Sequence, residues 1–158
     1  MTVHDDIIAV LDREGVDYTL LEHDHVHTSN DAAKVRGTKL EEAAKALVLE
    51  AKNDGERFVF MCVVNGHRRV DLKKVKLLIG TKNASLAHPD TVFERTGCKV
   101  GTVPPFPALL GLKGYADEAI LEQEHVVFSA ASHYKSVRMR SEDWLRVSGC
   151  TLAAIGKN

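Results

Sequence analysis

The sequence predicts an α+β fold in which a mixed sheet is covered by short helices. Two apolar, β-rich runs, "KALVLEA" and "RFVFMCVV", flank "NDGE", the composition of a hairpin turn. Several short segments carry apolar residues at helical spacing between a capping residue and a glycine. Strands and helices follow one another without regular alternation, which suits a mixed sheet with helices around it.

The elements follow in order. Thr2 is placed to cap a helix carrying Ile7, Ile8 and Leu11, which Gly15 ends. "VDYTLLEH" reads as a strand. Thr28 with Asp31 and Thr38 with Glu41 have capping-box spacing, and Gly37 between them suits a helix C-terminus, so two short helices precede Lys45. The hairpin comes next. Asp71 then caps "LKKVKLLIG", where Leu72, Val75 and Leu78 recur at helical spacing and Gly80 ends the helix. "PDTVFERTG" opens on proline and closes on Gly97. Strands are expected near "HVVFSA" and "SVRMR", followed by a helix at "EDWLRV" capped by Ser141.

A chain of 158 residues suits a single domain over 1–158 with a core of its own. Its formal net charge of −1 restricts nucleic-acid contact to a local patch. The widely spaced Cys62, Cys98 and Cys150 form no C-x-x-C pair, which points away from a disulfide framework or zinc ribbon and toward a reducing compartment. With no charged-then-apolar leader and no apolar run of membrane-spanning length, a cytoplasmic protein is expected, with no membrane and no DNA partner.

Four stretches bear on chemistry. In "EEAAKALVLEAK", strand alternation puts Lys45 on the face of Leu47 and Leu49, at a rim; its ammonium either snorkels to solvent or meets an anion. "KVGTVPPFPALLGLKG" is a stiffened loop whose glycines allow close backbone approach, either to present amides to an oxyanion or simply to brace a crossover. "HDHVH" alternates His23, His25 and His27; on a strand the outer two lie about 13 Å apart, too far to share one ion. No carboxylate or thiolate completes a set, so hydrogen-bonded histidines are favoured over a metal site. Arg68, Arg69, Lys73, Lys74, Lys76 and Lys82 form a basic run interrupted by one acid, read either as a solvated face or as an RNA-facing patch.

Together these segments resemble the YbaK/ProX-type aminoacyl-tRNA deacylases, free-standing relatives of the editing domain inserted in bacterial prolyl-tRNA synthetases. The carriers are the T-x-x-x-A-A opening at Thr28 to Ala33, "AAKALVLEA" with Lys45, "VDLKKVKLLIG", "GTVPPF" at 101–106 and "VVFSAASHYKSVRM" at 126–139. The resemblance implies a barrel-like sheet and hydrolysis of the ester joining a wrong amino acid to tRNA. It implies that Lys45 binds the phosphate or ribose end of the tRNA and that the backbone of Gly101 faces the reacting carbonyl. Thr28, Ala46, Thr102, Val103 and Pro104 would contribute to the substrate site, with Ser129, Ala130, Ala131 and Ser132 along the opposite wall. Relatives often carry glycine where this chain has Ala130 and Ala131, so that wall would be narrower here. An acceptor-stem role for the basic run becomes a serious competitor to a solvated face.

That activity fits what the sequence lacks: no nucleophile elbow, no H-E-x-x-H and no cysteine with an obvious histidine partner. An aminoacyl ester is already activated, so a site need only position water, hold the terminal adenosine and stabilise the oxyanion. The expected enzyme is a hydrolase needing no cofactor and no metal, with mischarged tRNA and an aminoacyl-tRNA synthetase as partners. The competing expectation is a non-catalytic module that keeps the fold to bind tRNA or a synthetase.

Overall fold

The computed structural model describes residues 2–25 and 29–158. In chain order it contains α1 (Val3–Arg13), β1 (Tyr18–Glu22), α2 (Ser29–Arg36), a 3₁₀ turn (Leu40–Glu42), β2 (Ala44–Asn53), β3 (Glu56–Asn65), β4 (Arg69–Val70), α3 (Leu72–Ile79), β5 (Asn83–Leu86) and α4 (Pro89–Thr96). There follow β6 (Lys113–Asp117), a 3₁₀ segment (Glu118–Glu122), β7 (His125–Ser129), β8 (Lys135–Arg140), α5 (Ser141–Ser148), β9 (Cys150–Ala153) and β10 (Gly156–Lys157).

The expected hairpin is the spine of a mixed five-stranded sheet ordered β5-β2-β3-β6-β9. β2 pairs antiparallel with β3 from Ala44↔Asn65 to Asn53↔Glu56, while β6 and β9 join in parallel. A second, antiparallel sheet is ordered β1-β8-β7, and β10 pairs with β4. Among the described residues the two larger sheets are joined by a parallel bridge, Ala43↔Val127, and remain separate ladders that do not close into a continuous barrel.

Alternation on β3 explains why its sequence is apolar throughout. Val59, Met61 and Val63 enter one core cluster, with Trp144, Phe106 and Phe128; Phe60, Cys62 and Val64 enter a second, with Val75 and Ile155. Both faces are covered, so neither can be polar. Helix caps follow the sequence at four ends. Thr2 Oγ1 accepts the Asp5 amide at 3.1 Å while Asp5 takes the Thr2 amide. Asp71 caps α3, and Gly80 and Gly97 adopt left-handed conformations at the ends of α3 and α4.

Three expectations are corrected. The segment after Thr38 is only a 3₁₀ turn, closed by Glu42 accepting the Lys39 amide, one register later than the Thr38–Glu41 pairing. Ser141 is the first residue of α5 and not its cap; its hydroxyl donates back to the carbonyls of Gln123 and Glu124. The strand expected over "VDYTLLEH" is shorter, Tyr18–Glu22, so the described part of "HDHVH", His23 to His25, lies beyond it. Strands β5, β6 and β9 carry weak signals. In β6, Gly114 lies under Pro107 where a Cβ would collide, so its glycine marks close packing inside a strand and not a loop. The Thr28–Asp31 box and His27 involve residues outside the described ones.

Candidate active site

Strand β2 is paired on both sides for only part of its length. β5 covers Leu49 to Lys52, and the Ala87 amide donates to the Val48 carbonyl at 2.9 Å. Between Ala44 and Leu47 that edge has no strand partner among the described residues. Period-two geometry aims the Ala46 amide and carbonyl the same way as those of Val48, into that gap. The gap is a cavity of about 560 Å³, of the size that holds small ligands. Leu86, Ala87, Val92, Val100 and Val103 form its apolar side, and Arg36, Lys45, Gly101, Ser129 and His133 supply its polar groups.

Lys45 reaches the cavity half-buried, its Nζ donating to the Arg68 carbonyl at 3.0 Å. Burial lowers its pKa, and no carboxylate pairs with it among the described residues. The acceptor is fixed from several sides. Gly66 donates its amide to the Ala43 carbonyl, Asn65 Nδ2 donates to the Glu41 carbonyl, and the Arg68 guanidinium meets the buried Asp117 carboxylate at 3.2 Å.

Gly101 sits at φ +88°, a conformation L side chains rarely adopt. Among the described residues nothing accepts its amide hydrogen, while its carbonyl accepts from Ser129 Oγ at 3.2 Å. The loop beyond it is rigidly held. Thr102 donates both its amide and its hydroxyl to the Lys99 carbonyl, Phe106 packs edge-on against Phe128 at 5.2 Å, and the buried Trp144 indole donates to the Pro105 carbonyl. Truncating either aromatic costs ~3–5 kcal/mol in a typical core, so these anchors hold the Gly101 backbone firmly.

Of the residues expected in the site, Lys45, Ala46, Gly101, Val103 and Ser129 come together around the cavity. Thr102 and Pro104 are buried within the loop, and Ala130 is fully buried with its amide on the Lys135 carbonyl. Ala131 takes φ +61°, where glycine would be less strained, and Ser132 Oγ caps the Tyr134 amide. These last residues shape the β7–β8 connection behind the wall. Thr28 lies outside the described residues.

Sequence reading missed Arg36 and His133. Arg36 ends α2, its guanidinium half-buried, with Nε on Ser136 Oγ and Nη2 on Ser129 Oγ. Burial lowers its pKa to about 10. Only its place before Gly37 hinted at a helix-end cation, and nothing local revealed its burial. His133 stacks on His25 at 4.3 Å, and its Nδ1 is buried without a hydrogen-bond partner among the described residues. His23 places Nδ1 on the Asp24 carbonyl and Nε2 on Ser136 Oγ. Burial pushes the Cys62 thiol up to about 12 and the Cys150 thiol up to about 11, away from the thiolate form that a nucleophile needs.

The basic run divides. Arg68 is spent on Asp117 and Asn158, Arg69 donates to the Asn158 carbonyl, and Lys74 Nζ donates to the Gly156 carbonyl. Lys73 is exposed and Lys76 partly so, neither with a side-chain partner among the described residues. If α3 meets RNA, replacing Lys73, Lys74 and Lys76 with alanine weakens tRNA binding and reduces its slope against log[salt] by roughly one for each phosphate no longer neutralised. Fluorescence titrations at several salt concentrations measure this. An unchanged slope places the RNA elsewhere.

The geometry can be set beside known proteins. The family model described as the aminoacyl-tRNA editing domain matches residues 23–147, a span that includes β2, the Gly101 loop and the β7–β8 hairpin. The chain belongs to the aminoacyl-tRNA editing domain family. It is 35% identical over 146 residues to the multifunctional Ser/Thr-tRNA deacylase ProXp-y of Escherichia coli K12, covering 92% of this chain and 87% of that protein. It is also 32% identical over 112 residues to a proline–tRNA ligase of Staphylococcus saprophyticus, covering 71% of this chain but 19% of the ligase. The crystal structure of the hypothetical protein APE2540 superimposes with a TM-score of 0.83 at 23% identity, over 96% of this chain and 99% of that one, which shows a shared fold.

Proposed function

We propose that this protein is a trans-editing hydrolase that cleaves the ester of mischarged aminoacyl-tRNA in the cavity at the open edge of β2. The observation that carries the reading is the pairing, on one cavity, of an uncompensated lysine with a glycine amide that has no acceptor among the described residues. Membership of the aminoacyl-tRNA editing family supports it, as does the 35% identity to a deacylase over most of both chains.

The terminal adenosine enters with its acyl group between the β2 edge and the Gly101 loop. Lys45 holds the phosphate or ribose end. A water oxygen attacks the ester carbonyl carbon, and the Gly101 amide donates to the oxygen on which negative charge develops. The carbon–oxygen bond to the ribose then breaks, the ribose oxygen takes up the proton that the attacking water gives up, and free amino acid and uncharged tRNA leave. Because the ester is already activated, preorganised positioning and charge stabilisation suffice without a covalent intermediate. Partnership with a synthetase and a cytoplasmic setting extend the same proposal; no helix among the described residues is long and apolar enough to cross a membrane.

The test is multiple turnover of purified aminoacyl-tRNA over a panel of mischarged tRNAs, headed by seryl and threonyl esters because the deacylase relative is named for them. Release of many amino acids per protein molecule is expected with at least one member. Stoichiometric tRNA binding without release would instead mark a non-catalytic module.

A further inference from the structure

Among the described residues, Arg36 is gripped along one edge. Ser129 and Ser136 face each other across the β7–β8 hairpin, and the guanidinium lies across both, Nε donating to Ser136 Oγ at 2.8 Å and Nη2 to Ser129 Oγ at 3.3 Å. Neither hydroxyl is free to turn: Ser136 is fully buried with His23 Nε2 at 2.7 Å, and Ser129 donates to the Gly101 carbonyl. The serines therefore occupy the side-on edge and fix the plane of the group. A guanidinium has five N–H donors. Its end-on edge, formed by Nη1 and the remaining N–H of Nη2, has no acceptor among the described residues. The cavity it lines contains no aspartate or glutamate among those residues, so no internal counter-ion competes for that fork.

We propose that Arg36 binds, end-on and bidentate, the phosphodiester on the 5′ side of the terminal nucleotide of the substrate, an assignment that rests on the deacylase reading above. A planar fork of two N–H groups matches two oxygens of one phosphate, whereas a tetrahedral oxyanion offers a single oxygen. In the ground state of an aminoacylated 3′ end the ester is neutral and the α-ammonium is positive. The phosphodiester is the anion nearest the acylated ribose. Lys45, a compact point donor, is then left for the ribose or the next phosphate. Burial without a counter-ion, which lowers the Arg36 pKa to about 10, leaves the group charged at neutral pH and ready to gain from an incoming anion.

The experiment measures binding of the trinucleotide CpCpA and of adenosine by calorimetry, for the wild type, Arg36→Gln and Arg36→Lys, with melting curves as the folding control. Arg36→Gln is expected to bind CpCpA at least tenfold more weakly while adenosine binding changes less than twofold. Lysine should recover only part of the loss, since it restores charge without the fork. With aminoacyl-tRNA as substrate, the defect falls mainly on KM. Equal losses for CpCpA and adenosine, no loss for either, or full recovery by lysine would each overturn the assignment. Should the glutamine variant fail to fold, the lysine variant carries the comparison alone, with a threefold or greater loss confined to CpCpA expected. Binding needs no turnover: a protein that binds CpCpA through Arg36 yet releases no amino acid would contradict the deacylase reading and leave the phosphate site standing.

Discussion

Gly101→Val is expected to lower deacylation by ~10²–10³-fold, the usual cost of losing one oxyanion donor. The reason is conformational more than steric. A Cβ at this position would meet only His133 Cε1, at 3.6 Å, an ordinary contact. At φ +88°, however, a β-branched residue is strained by ~1–3 kcal/mol, and the chain escapes by turning the peptide. Trp144 and Phe106 pin the loop a few residues further on, so the adjustment is confined to Gly101 and its neighbours. The amide swings away from the carbonyl while the core stays packed. Single-turnover rates alongside melting temperatures check this. A folded variant that deacylates at the wild-type rate would reduce the loop to a brace.

Lys45→Met should separate activity from stability in the opposite sense. Burial lowers the lysine pKa, so the folded state holds the charged form at some cost and removing the charge relieves it. Methionine keeps the apolar stem, and the Arg68 carbonyl, at an open cavity, can turn to water. The melting temperature is expected to hold or rise slightly. Deacylation is expected to fall at least tenfold, since a charge-assisted contact is typically worth ~1.5–3 kcal/mol. Lys45→Arg should recover part of it, because a planar guanidinium does not reproduce a compact ammonium donating to one carbonyl. Full activity in a well-folded methionine variant would make the lysine a snorkelling side chain and nothing more.

The parts of the fold that were legible are those with local causes. Thr2, Asp71, Gly80 and Gly97 act within one turn of their own positions, and the hairpin carries its turn between two β-rich runs. β6 and β9 form because β3 offers a parallel edge, a partner more than fifty residues away from "KGYAD" in the chain. Such short segments carry little intrinsic strand signal. The same division holds at the site. Lys45 stood out as a charge in an apolar strand and Gly101 as a glycine in a proline-rich loop. Arg36 did not, because its burial comes from two serines almost a hundred residues downstream. Ser132 and Ala130 sit beside Ser129 in sequence, yet the tight β7–β8 connection turns them away from the cavity.

The most direct measurement is a crystal structure of the protein with a non-hydrolysable, amide-linked aminoacyl adenosine carrying the amino acid that the turnover panel selects. The account predicts the acyl group in the cavity at the open edge of β2, its carbonyl oxygen within ~3 Å of the Gly101 amide nitrogen and the ribose or phosphate end at Lys45. A ligand bound outside that cavity, or one whose carbonyl points away from Gly101 with Lys45 still on the Arg68 carbonyl alone, would contradict it.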